Sequence, residues 1–293
     1  MSGLKIAELT RRGVVAVGGD GATKFLNDLV TADVGGVRPG RAVYAGLLSP
    51  QGKVLFDFIV FGDGERFLID LARPAVGDLV KRLTFYRLRA KVTIDELSDE
   101  RRVLAGWGNG EPPVDGVVAP DPRLAALGWR AIASGRQAPA GNFTPASEAD
   151  YDRHRIGLGV PEGGIDFSFG EPFAHEADMD QLGGVDFDKG CYIGQEVVSR
   201  MEHRGTARRR TVIARSGGPL PPAGTPIMGG DRRLGTLMSS AAKIGLALVR
   251  LDRAREAMDA GLPVTAGETT ITLALPEWAR FGWPAAADRD PAP

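Results

Sequence analysis

Cysteine and histidine are scarce in this sequence, and neither sign of charge prevails. A single cysteine, Cys191, cannot form an internal disulfide, and one thiol with three scattered histidines matches no zinc-ligand spacing. The 36 basic and 37 acidic residues give a formal net charge of -1, so the chain as a whole does not attract nucleic acid or anionic lipid. No apolar run approaches the roughly 20 residues of a membrane span, and residues 1–13 lack the apolar core of a secretory signal. These absences predict a cytoplasmic protein without metal, nucleic-acid or membrane partners.

The length and composition are those of a folded protein with a sizeable core. The 293 residues are 43% hydrophobic and 25% charged, close to the average for globular proteins. This length corresponds to about two domains. Residues 284–293, PAAADRDPAP, contain too few large apolar side chains to pack, so this tail is predicted to be disordered.

The first hundred residues combine short β-prone runs with two helical segments. One helix is predicted over 20–30, with Asp20 as its N-cap, and another opens at Pro74. Because long helical crossovers are missing and residues 49–52 (SPQG) read as a hairpin turn, an antiparallel α+β sheet is favoured over a parallel one. The predicted strands are residues 13–17, 42–48, 53–61, 66–71 and 91–94.

The second half of the chain divides into loops, an irregular segment and a β-rich end. Proline and glycine predict loops at 109–123 and 134–146, around a strand at 129–133, and Ser147 is a candidate cap of a helix ending at 157. Residues 164–192 show no clear period, and functional groups are often held on such irregular backbone. After Gly205, short β runs have the spacing of a small sandwich or barrel, with a helix at 251–260. These runs are residues 209–215, 225–228, 234–239, 244–249 and 269–275.

The window 188–200, DKGCYIGQEVVSR, carries the residues best suited to chemistry. Residues 194–203 suit a helix that Gly205 would end, so Cys191 stands just before a helix N-terminus and two residues from Lys189. The helix dipole and the ammonium both favour a thiolate, which predicts a reactive cysteine. A buried cysteine acting as a small apolar side chain is the alternative. The glycines at 190 and 194 indicate a turn at this point.

The same window resembles a known family. The run KGCYIGQE, followed by SRMEHRG, is similar to the signature of the YgfZ family of folate-binding proteins. That family assists iron-sulfur cluster assembly and repair, and its fold is similar to that of the glycine-cleavage T-protein, an aminomethyltransferase. The likeness extends over VGGDGATKFLNDLVTADV, YAGLLSPQGKVLFDFIV, RIGLGVPEGGIDF and PFAHEADMDQLGGVDFDKGCY.

The resemblance implies an α+β fold of the T-protein cloverleaf type, with two α+β mixed-sheet subdomains and a small C-terminal β-barrel. On this chain the folate-binding region is expected at residues 1–205, with subdomains at approximately 1–100 and 101–205. The barrel is expected at residues 206–283. The implied ligand is tetrahydrofolate or a one-carbon derivative, and the implied partners are iron-sulfur client or assembly proteins. A monomer is expected.

Two acidic residues carry the implied folate chemistry. Glu176, in PFAHEA, matches the T-protein glutamate that hydrogen-bonds the pterin ring, and a carboxylate suits this task because it accepts two parallel N–H bonds. Asp57, in KVLFDFIV, matches one of the tandem aspartates of the T-protein, whereas Phe56 stands in place of the other. This departure puts aminomethyl transfer in doubt. Asp57 joins Cys191 and Lys189 as a predicted catalytic residue, although an exposed carboxylate facing away from the sheet is equally compatible with its position.

Four further residues complete the predicted folate site. Tyr192 is expected to stack on the pterin or simply to pack, and Gln195 to contact the ligand or to support the loop before the helix. Arg200 and Arg204, with the arginines at 208–210, are expected to meet the anionic folate tail or an acidic partner surface. A solvated helix end leading into an edge strand is the alternative for these arginines.

Three functions follow from these residues. The leading prediction is a tetrahydrofolate-binding accessory factor for iron-sulfur proteins, with Cys191 as its reactive group. The alternatives are a folate-dependent aminomethyltransferase, which would be an enzyme, and a non-enzymatic module that docks client proteins. His154, His175 and His203 are interpreted as single polar contacts, and one cysteine cannot hold an iron-sulfur cluster in the usual four-cysteine manner.

Overall fold

The computed structural model describes residues 3–135, 141–205 and 207–284. The predicted disordered tail therefore lies, from residue 285 onwards, outside the described residues. The helices are α1 (Ala22–Asn27), α2 (Val76–Arg87), α3 (Glu148–Gly157), α4 (Gln195–Arg204) and α5 (Leu251–Asp259). The strands are β1 (Lys5–Glu8), β2 (Arg12–Gly18), β3 (Val43–Leu48), β4 (Val54–Gly62), β5 (Arg66–Ala72), β6 (Thr93–Glu96), β7 (Arg101–Trp107), β8 (Gly116–Pro120), β9 (Trp129–Ser134), β10 (Thr144–Ala146), β11 (Arg209–Ser216), β12 (Pro226–Gly229), β13 (Arg232–Ala241), β14 (Ile244–Arg250), β15 (Val264–Ala266) and β16 (Thr269–Ala274).

The first sheet is antiparallel and carries two helices on one face. Its strands run in the order β3-β4-β5-β2-β6. Side chains of a strand alternate between faces. Val15 and Val17 of β2 accordingly join Phe25 of α1 and Leu79 of α2 in one apolar cluster, whereas Val14 belongs to another. The outer face of this sheet is thus covered by helices, and its inner face turns to the rest of the molecule.

The second sheet includes the first strand of the chain, β1. Its order is β10-β1-β7-β9-β8, in which β1 pairs antiparallel to β7 and parallel to β10. The structure therefore differs from a first subdomain of residues 1–100, because β1 pairs outside the first sheet. The inner faces of the two sheets share a core that includes Ala7 and Val103 from one and Val14 and Ile59 from the other.

The C-terminal strands close into a barrel of six, in the order β11-β14-β13-β12-β15-β16. Five of these strands coincide with the β runs predicted after Gly205, whereas β15 was not predicted. Ile156 of α3 packs against Met238 and Leu246 of the barrel, so α3 joins the barrel to the sheets. The predicted α+β class, with mixed sheets and a C-terminal barrel, is confirmed.

Several local predictions need correction. Helix α1 has Gly21 at its N-cap position instead of Asp20, and it ends at Asn27 because the chain beyond it is drawn to β3, where Thr31 N donates to the Gly46 carbonyl at 2.9 Å. Strands β8 and β10 occupy parts of the two predicted loops. Both are edge strands and both contain proline, which hides their character in the sequence. Residues 136–140 of the second predicted loop lie outside the described residues.

The helices among the described residues are all too short or too polar to cross a membrane.

Candidate functional site

The predicted site segment runs between α3 and α4 without regular strands or helices, as expected. The segment is hydrogen-bonded along the start of β4: Val54 N donates to the Pro172 carbonyl at 2.9 Å, and Gly170 N donates to the Val54 carbonyl at 2.7 Å. The irregular backbone is therefore fixed against the first sheet. Every residue of the predicted site other than Asp57 lies on this segment or on the helix that follows it.

Cys191 is exposed to solvent four positions before the first residue of α4. The helix begins at Gln195, one residue later than predicted, and Gly194 precedes it in a left-handed conformation with φ of 83°. A Cβ atom at Gly194 would lie 2.6 Å from the Ser49 carbonyl oxygen of the hairpin turn, so this close approach requires glycine. The buried-cysteine alternative is wrong, since the sulfur belongs to an exposed residue held on a fixed turn.

Lys189 is bound to the main chain instead of serving as a partner of the thiol. Its Nζ donates to three carbonyl oxygens, those of Asn27 at 3.1 Å, Val30 at 2.8 Å and Ala32 at 2.9 Å. An ammonium group has three donors, so all of them are used. Burial lowers the pKa of Lys189, with Asp33 opposing. Lys189 thus fastens the segment before Cys191 to the chain after α1, which the sequence did not indicate.

Asp57 is enclosed between the two sheets. Its Oδ2 accepts a hydrogen bond from the Tyr44 hydroxyl at 3.0 Å and a longer one from Gly163 N at 3.4 Å, while its buried Oδ1 has no partner among the described residues. Burial raises the pKa of Asp57, although Arg12 opposes the shift. The alternative of an exposed carboxylate is therefore wrong. Phe56 packs the other way, with its ring 5.9 Å from that of Phe169.

A buried ion network surrounds Asp57, and sequence analysis missed it. Arg12 pairs with Asp70 at 2.6 Å and with Glu162 at 3.4 Å, and Arg155 lies 3.7 Å from Glu162. Burial alone would raise the pKa of Glu162, but Arg12 and Arg155 hold it well below its ordinary value. These partners are far apart in the sequence, and no local motif signals their meeting.

Glu176 lines a cavity of about 390 Å³ beside α4 and the barrel. Its Oε1 accepts from Arg209 at 2.7 Å, through both Nε and Nη2, and its Oε2 accepts from Phe173 N at 3.0 Å. Phe173, Val197 and Met201 supply the apolar part of the wall. The cavity therefore combines one carboxylate, an apolar surface and cations.

This donor set fits the folate that the resemblance implies. A carboxylate beside apolar side chains suits a pterin ring, and Arg208 and Arg250 line the same cavity, where they suit an anionic tail. The Glu176 carboxylate is paired with Arg209 in this structure. A pterin would therefore have to displace Arg209 from that carboxylate. Asp57 does not line this cavity, and neither does Cys191. Cys191 and Glu176 lie on the same irregular segment, and α4 follows Cys191 and borders the Glu176 cavity.

The other predicted ligands lie outside the Glu176 cavity. Tyr192 is buried in the core between the sheets, and burial raises its pKa to about 12. Gln195 is the half-buried first residue of α4. Arg200 pairs with Glu196 at 2.7 Å, and Arg204 is exposed in the last turn. On α4 it is Val197 and Met201 that reach the cavity.

A second polar cluster adjoins α4. Arg210 donates to both carboxylate oxygens of Asp180, from Nη1 at 2.6 Å and from Nη2 at 2.8 Å. His175 Nε2 lies 3.0 Å from Glu202 Oε2. Ligand atoms of His175, Asp180 and Glu202 lie within 4.8 Å of one another, which is close enough for a metal ion. Both oxygens of Asp180 are already bound by a guanidinium, however, which makes it a poor metal ligand.

Two family models and a solved structure match this chain. Residues 2–110 match the model of the GCVT N-terminal domain, and residues 208–281 match the C-terminal beta-barrel domain of CAF17. The glycine cleavage system aminomethyltransferase T from Bartonella henselae superposes with a TM-score of 0.73 at 16% identity, covering 94% of this chain and 85% of that one. This likeness establishes the T-protein type of fold.

Relatives from mammals and fungi carry the same description. The iron-sulfur cluster assembly factor IBA57, mitochondrial, of Mus musculus is 32% identical over 95% of this chain and 85% of its own length. Its counterpart from Homo sapiens is 31% identical over 94% and 84%. A homolog from Mycosarcoma maydis is 34% identical over 71% of this chain, and the match covers 56% of its own length. For a homolog from Neurospora crassa, the match covers 52% of its length. This chain thus spans about half of those fungal proteins.

The expectation of a cytoplasmic location is contradicted by these names. The curated relatives from animals and fungi are described as mitochondrial. The signals used for the expectation, balanced charge and apolar runs, do not separate the two compartments, because a transit segment is amphipathic and not apolar.

Proposed function

The chain belongs to the family of IBA57 iron-sulfur cluster assembly factors, and we propose that it assists cluster assembly through the exposed thiol of Cys191. The observation that carries this proposal is the exposure of Cys191, which lies on a turn fixed by Gly194 and Lys189. A thiolate is the usual protein ligand of cluster iron, and four are normally required. One cysteine can supply only one, so the remaining ligands come from a partner protein. The motif KGCYIGQE supports the narrower YgfZ-type assignment.

Tetrahydrofolate is the proposed ligand of the cavity that Glu176 lines. Glu176 would accept the pterin N–H groups after release of Arg209, Phe173 would face the ring, and Arg208 and Arg250 would meet the tail. When bound, tetrahydrofolate supplies a carrier for a one-carbon unit or a source of reducing equivalents. The role of the chain is to orient the ring and to keep water from its apolar face.

Aminomethyl transfer is the weaker candidate. The second acid of the tandem pair is replaced by Phe56, which packs against Phe169 in an apolar cluster. Asp57, the acid that is retained, is enclosed beside Tyr44, and its buried Oδ1 has no hydrogen-bond partner among the described residues. A transferase needs an acid where charge develops on the departing amine.

The test of the proposed function compares two activities in cells. Cells whose only copy carries Cys191→Ser are expected to lose iron-sulfur enzyme activity and to keep glycine cleavage. Glu196→Gln, an exposed change on α4, serves as the control and is expected to leave both activities intact. Loss of glycine cleavage with intact iron-sulfur enzymes would instead support the transferase.

Folate binding is tested separately by titration of the purified protein with tetrahydrofolate. Charge-assisted hydrogen bonds are worth about 1.5–3 kcal/mol, so Glu176→Gln is expected to weaken binding by about ten- to a hundredfold. Glu196→Gln is expected to leave the affinity unchanged. Equal affinity of the wild type and Glu176→Gln would refute the assignment of this cavity.

A further inference from the structure

A larger cavity, of about 750 Å³, lies between α2 and the segment at 162–170. Small-molecule sites commonly have volumes of about 300–1,000 Å³. None of its lining residues also lines the Glu176 cavity. Neither the relatives nor the function proposed above gives this space a role.

The walls of the larger cavity are mainly apolar. Leu55 and Phe56 of β4, Ala72 of β5 and Phe169 of the irregular segment face it. The rings of Phe56 and Phe169 are 5.9 Å apart and tilted by 41°, which leaves aromatic surface toward the space. Such walls hold a hydrocarbon or aromatic body without unmet hydrogen bonds.

Apolar side chains also stand exposed at its mouth. Phe85 is 72% exposed and Ile165 is 39% exposed, and both line the cavity. Large apolar groups left in water next to an apolar cavity indicate something that covers them. A ligand that fills the cavity and reaches the mouth would bury both.

The charge at the mouth is positive. Lys81 and Arg82 are consecutive exposed residues of α2 on the cavity rim. Lys81 pairs with Asp78 at 3.2 Å on the surface, a contact of small energy, whereas Arg82 forms no ion pair with any described residue. The buried Glu162 at the inner end is neutralised by its arginines. An acid group on the ligand would therefore be favoured at the outer end.

We propose that this cavity binds an amphipathic organic acid, with its apolar body against Phe56 and Phe169 and its acid group at Lys81 and Arg82. This site is separate from the cavity of Glu176 and takes a different ligand. The proposal holds whether or not Cys191 acts on clusters.

The test uses 8-anilinonaphthalene-1-sulfonate, an aromatic sulfonate whose fluorescence rises in apolar sites, and N-phenyl-1-naphthylamine, its uncharged analogue. Wild-type protein is expected to bind one sulfonate per chain. The double variant Lys81→Glu/Arg82→Glu is expected to bind it at least about tenfold more weakly, with less than a threefold change for the uncharged probe. The control Lys24→Glu/Lys243→Glu changes the net charge equally at other exposed positions and is expected to bind as wild type. Equal weakening by both double variants would overturn the proposal.

A second pair of variants tests the apolar body. Ala72→Trp places a large ring in the cavity and is expected to weaken binding of both probes, and Phe85→Ala, at an exposed position, is expected to weaken both as well. Leu262→Ala, a change at an exposed apolar residue of another region, is the control. Unchanged binding in Phe85→Ala and Ala72→Trp, or displacement of the sulfonate by tetrahydrofolate, would refute a separate site. Neither result bears on the Cys191→Ser experiment.

Discussion

The thiol of Cys191 faces water although free cysteines are among the most often buried residues. Its side chain therefore contributes little to the core, and its position is determined by the turn around it. We expect native protein to react with one equivalent of iodoacetamide, and Cys191→Ser to change the free energy of unfolding by less than about 0.5 kcal/mol. Mass spectrometry and urea denaturation measure the two effects. A thiol that reacts only after unfolding, or a serine variant that fails to fold, would contradict the assignment.

Asp178 has a carboxyl group with unusual protonation. Its Oδ2 accepts from Thr211 N at 3.0 Å, and burial raises its pKa to about 7 although Arg210 opposes the shift. Because the folded state binds this proton more tightly than the unfolded chain, its stabilising effect is complete below the ordinary pKa of 3.8. The effect is lost as the pH rises through about 7.

Asp178→Asn removes this titration and tolerates the left-handed φ of 54° at the position. The free energy of unfolding of the wild type, relative to the variant, should fall between pH 4 and pH 7 by about 1.4 kcal/mol per unit of pKa difference. Urea denaturation across this pH range measures it, with the exposed Asp231→Asn as the control. A difference that does not vary with pH would show that Asp178 is ionised throughout.

Among the elements, α4 is preceded by two glycines with unlike surroundings. Gly194 has φ of 83° and its Cβ position is blocked by the Ser49 carbonyl, whereas a Cβ at Gly190 would meet nothing within 4 Å. Gly194→Ala is expected to lower the free energy of unfolding by about 1–3 kcal/mol and to loosen the Cys191 turn. Gly190→Ala, in the same motif, is expected to cost less than about 0.5 kcal/mol. Thermal unfolding and hydrogen exchange at residues 189–195 compare the two variants. Equal effects of Gly194→Ala and Gly190→Ala would refute the requirement for glycine at 194.

Elements with local signals could be predicted from the sequence, and elements defined by distant pairing could not. The helix after Ser147 was predicted correctly because its capping box, Ser147 with Asp150, lies within four residues. Strand β1 was missed because it is paired with β7, about a hundred residues away, and β10 is only three residues long. The barrel was predicted from regularly spaced β runs and turns, which are local features.

The whole molecule is joined by the ion network at Glu162. This carboxylate lies 3.3 Å from Arg11 and 3.4 Å from Arg12 at the start of the first sheet, and 3.7 Å from Arg155 of α3. Arg155 also binds Asp166 at 2.6 Å, and Asp166 accepts a hydrogen bond from Ser239 N of the barrel. The first sheet, α3 and the barrel are thereby linked through Glu162 and Arg155.

Glu162→Gln is expected to cost about 3–5 kcal/mol at neutral pH, because it leaves buried arginines without their shared anion. Since the pKa of Glu162 is held low in the fold, its stabilising effect is present above the ordinary value of 4.5 and is lost as the pH falls. The difference between the wild type and the variant should therefore shrink toward acid. Urea denaturation at two pH values measures this, with the exposed Glu100→Gln as the control. A penalty that grows in acid would contradict the network.

At this scale the site could be predicted only in part. The family resemblance gave Cys191 and Glu176 as candidates. The three carbonyls that bind Lys189 lie more than 150 positions away from it, and Arg209 pairs with Glu176 where the barrel meets the irregular segment. Such contacts follow from the packing of whole elements. No short sequence pattern encodes them.

The Cys191 thiol has a proposed part in cluster assembly. Its most direct test is the rate at which an iron-sulfur enzyme lacking its cluster regains activity in an extract depleted of this protein and supplied with purified variants. Wild-type protein and Glu196→Gln are expected to restore the rate, and folded Cys191→Ser is expected to leave it at the level of the depleted extract. Full restoration by Cys191→Ser would contradict the account.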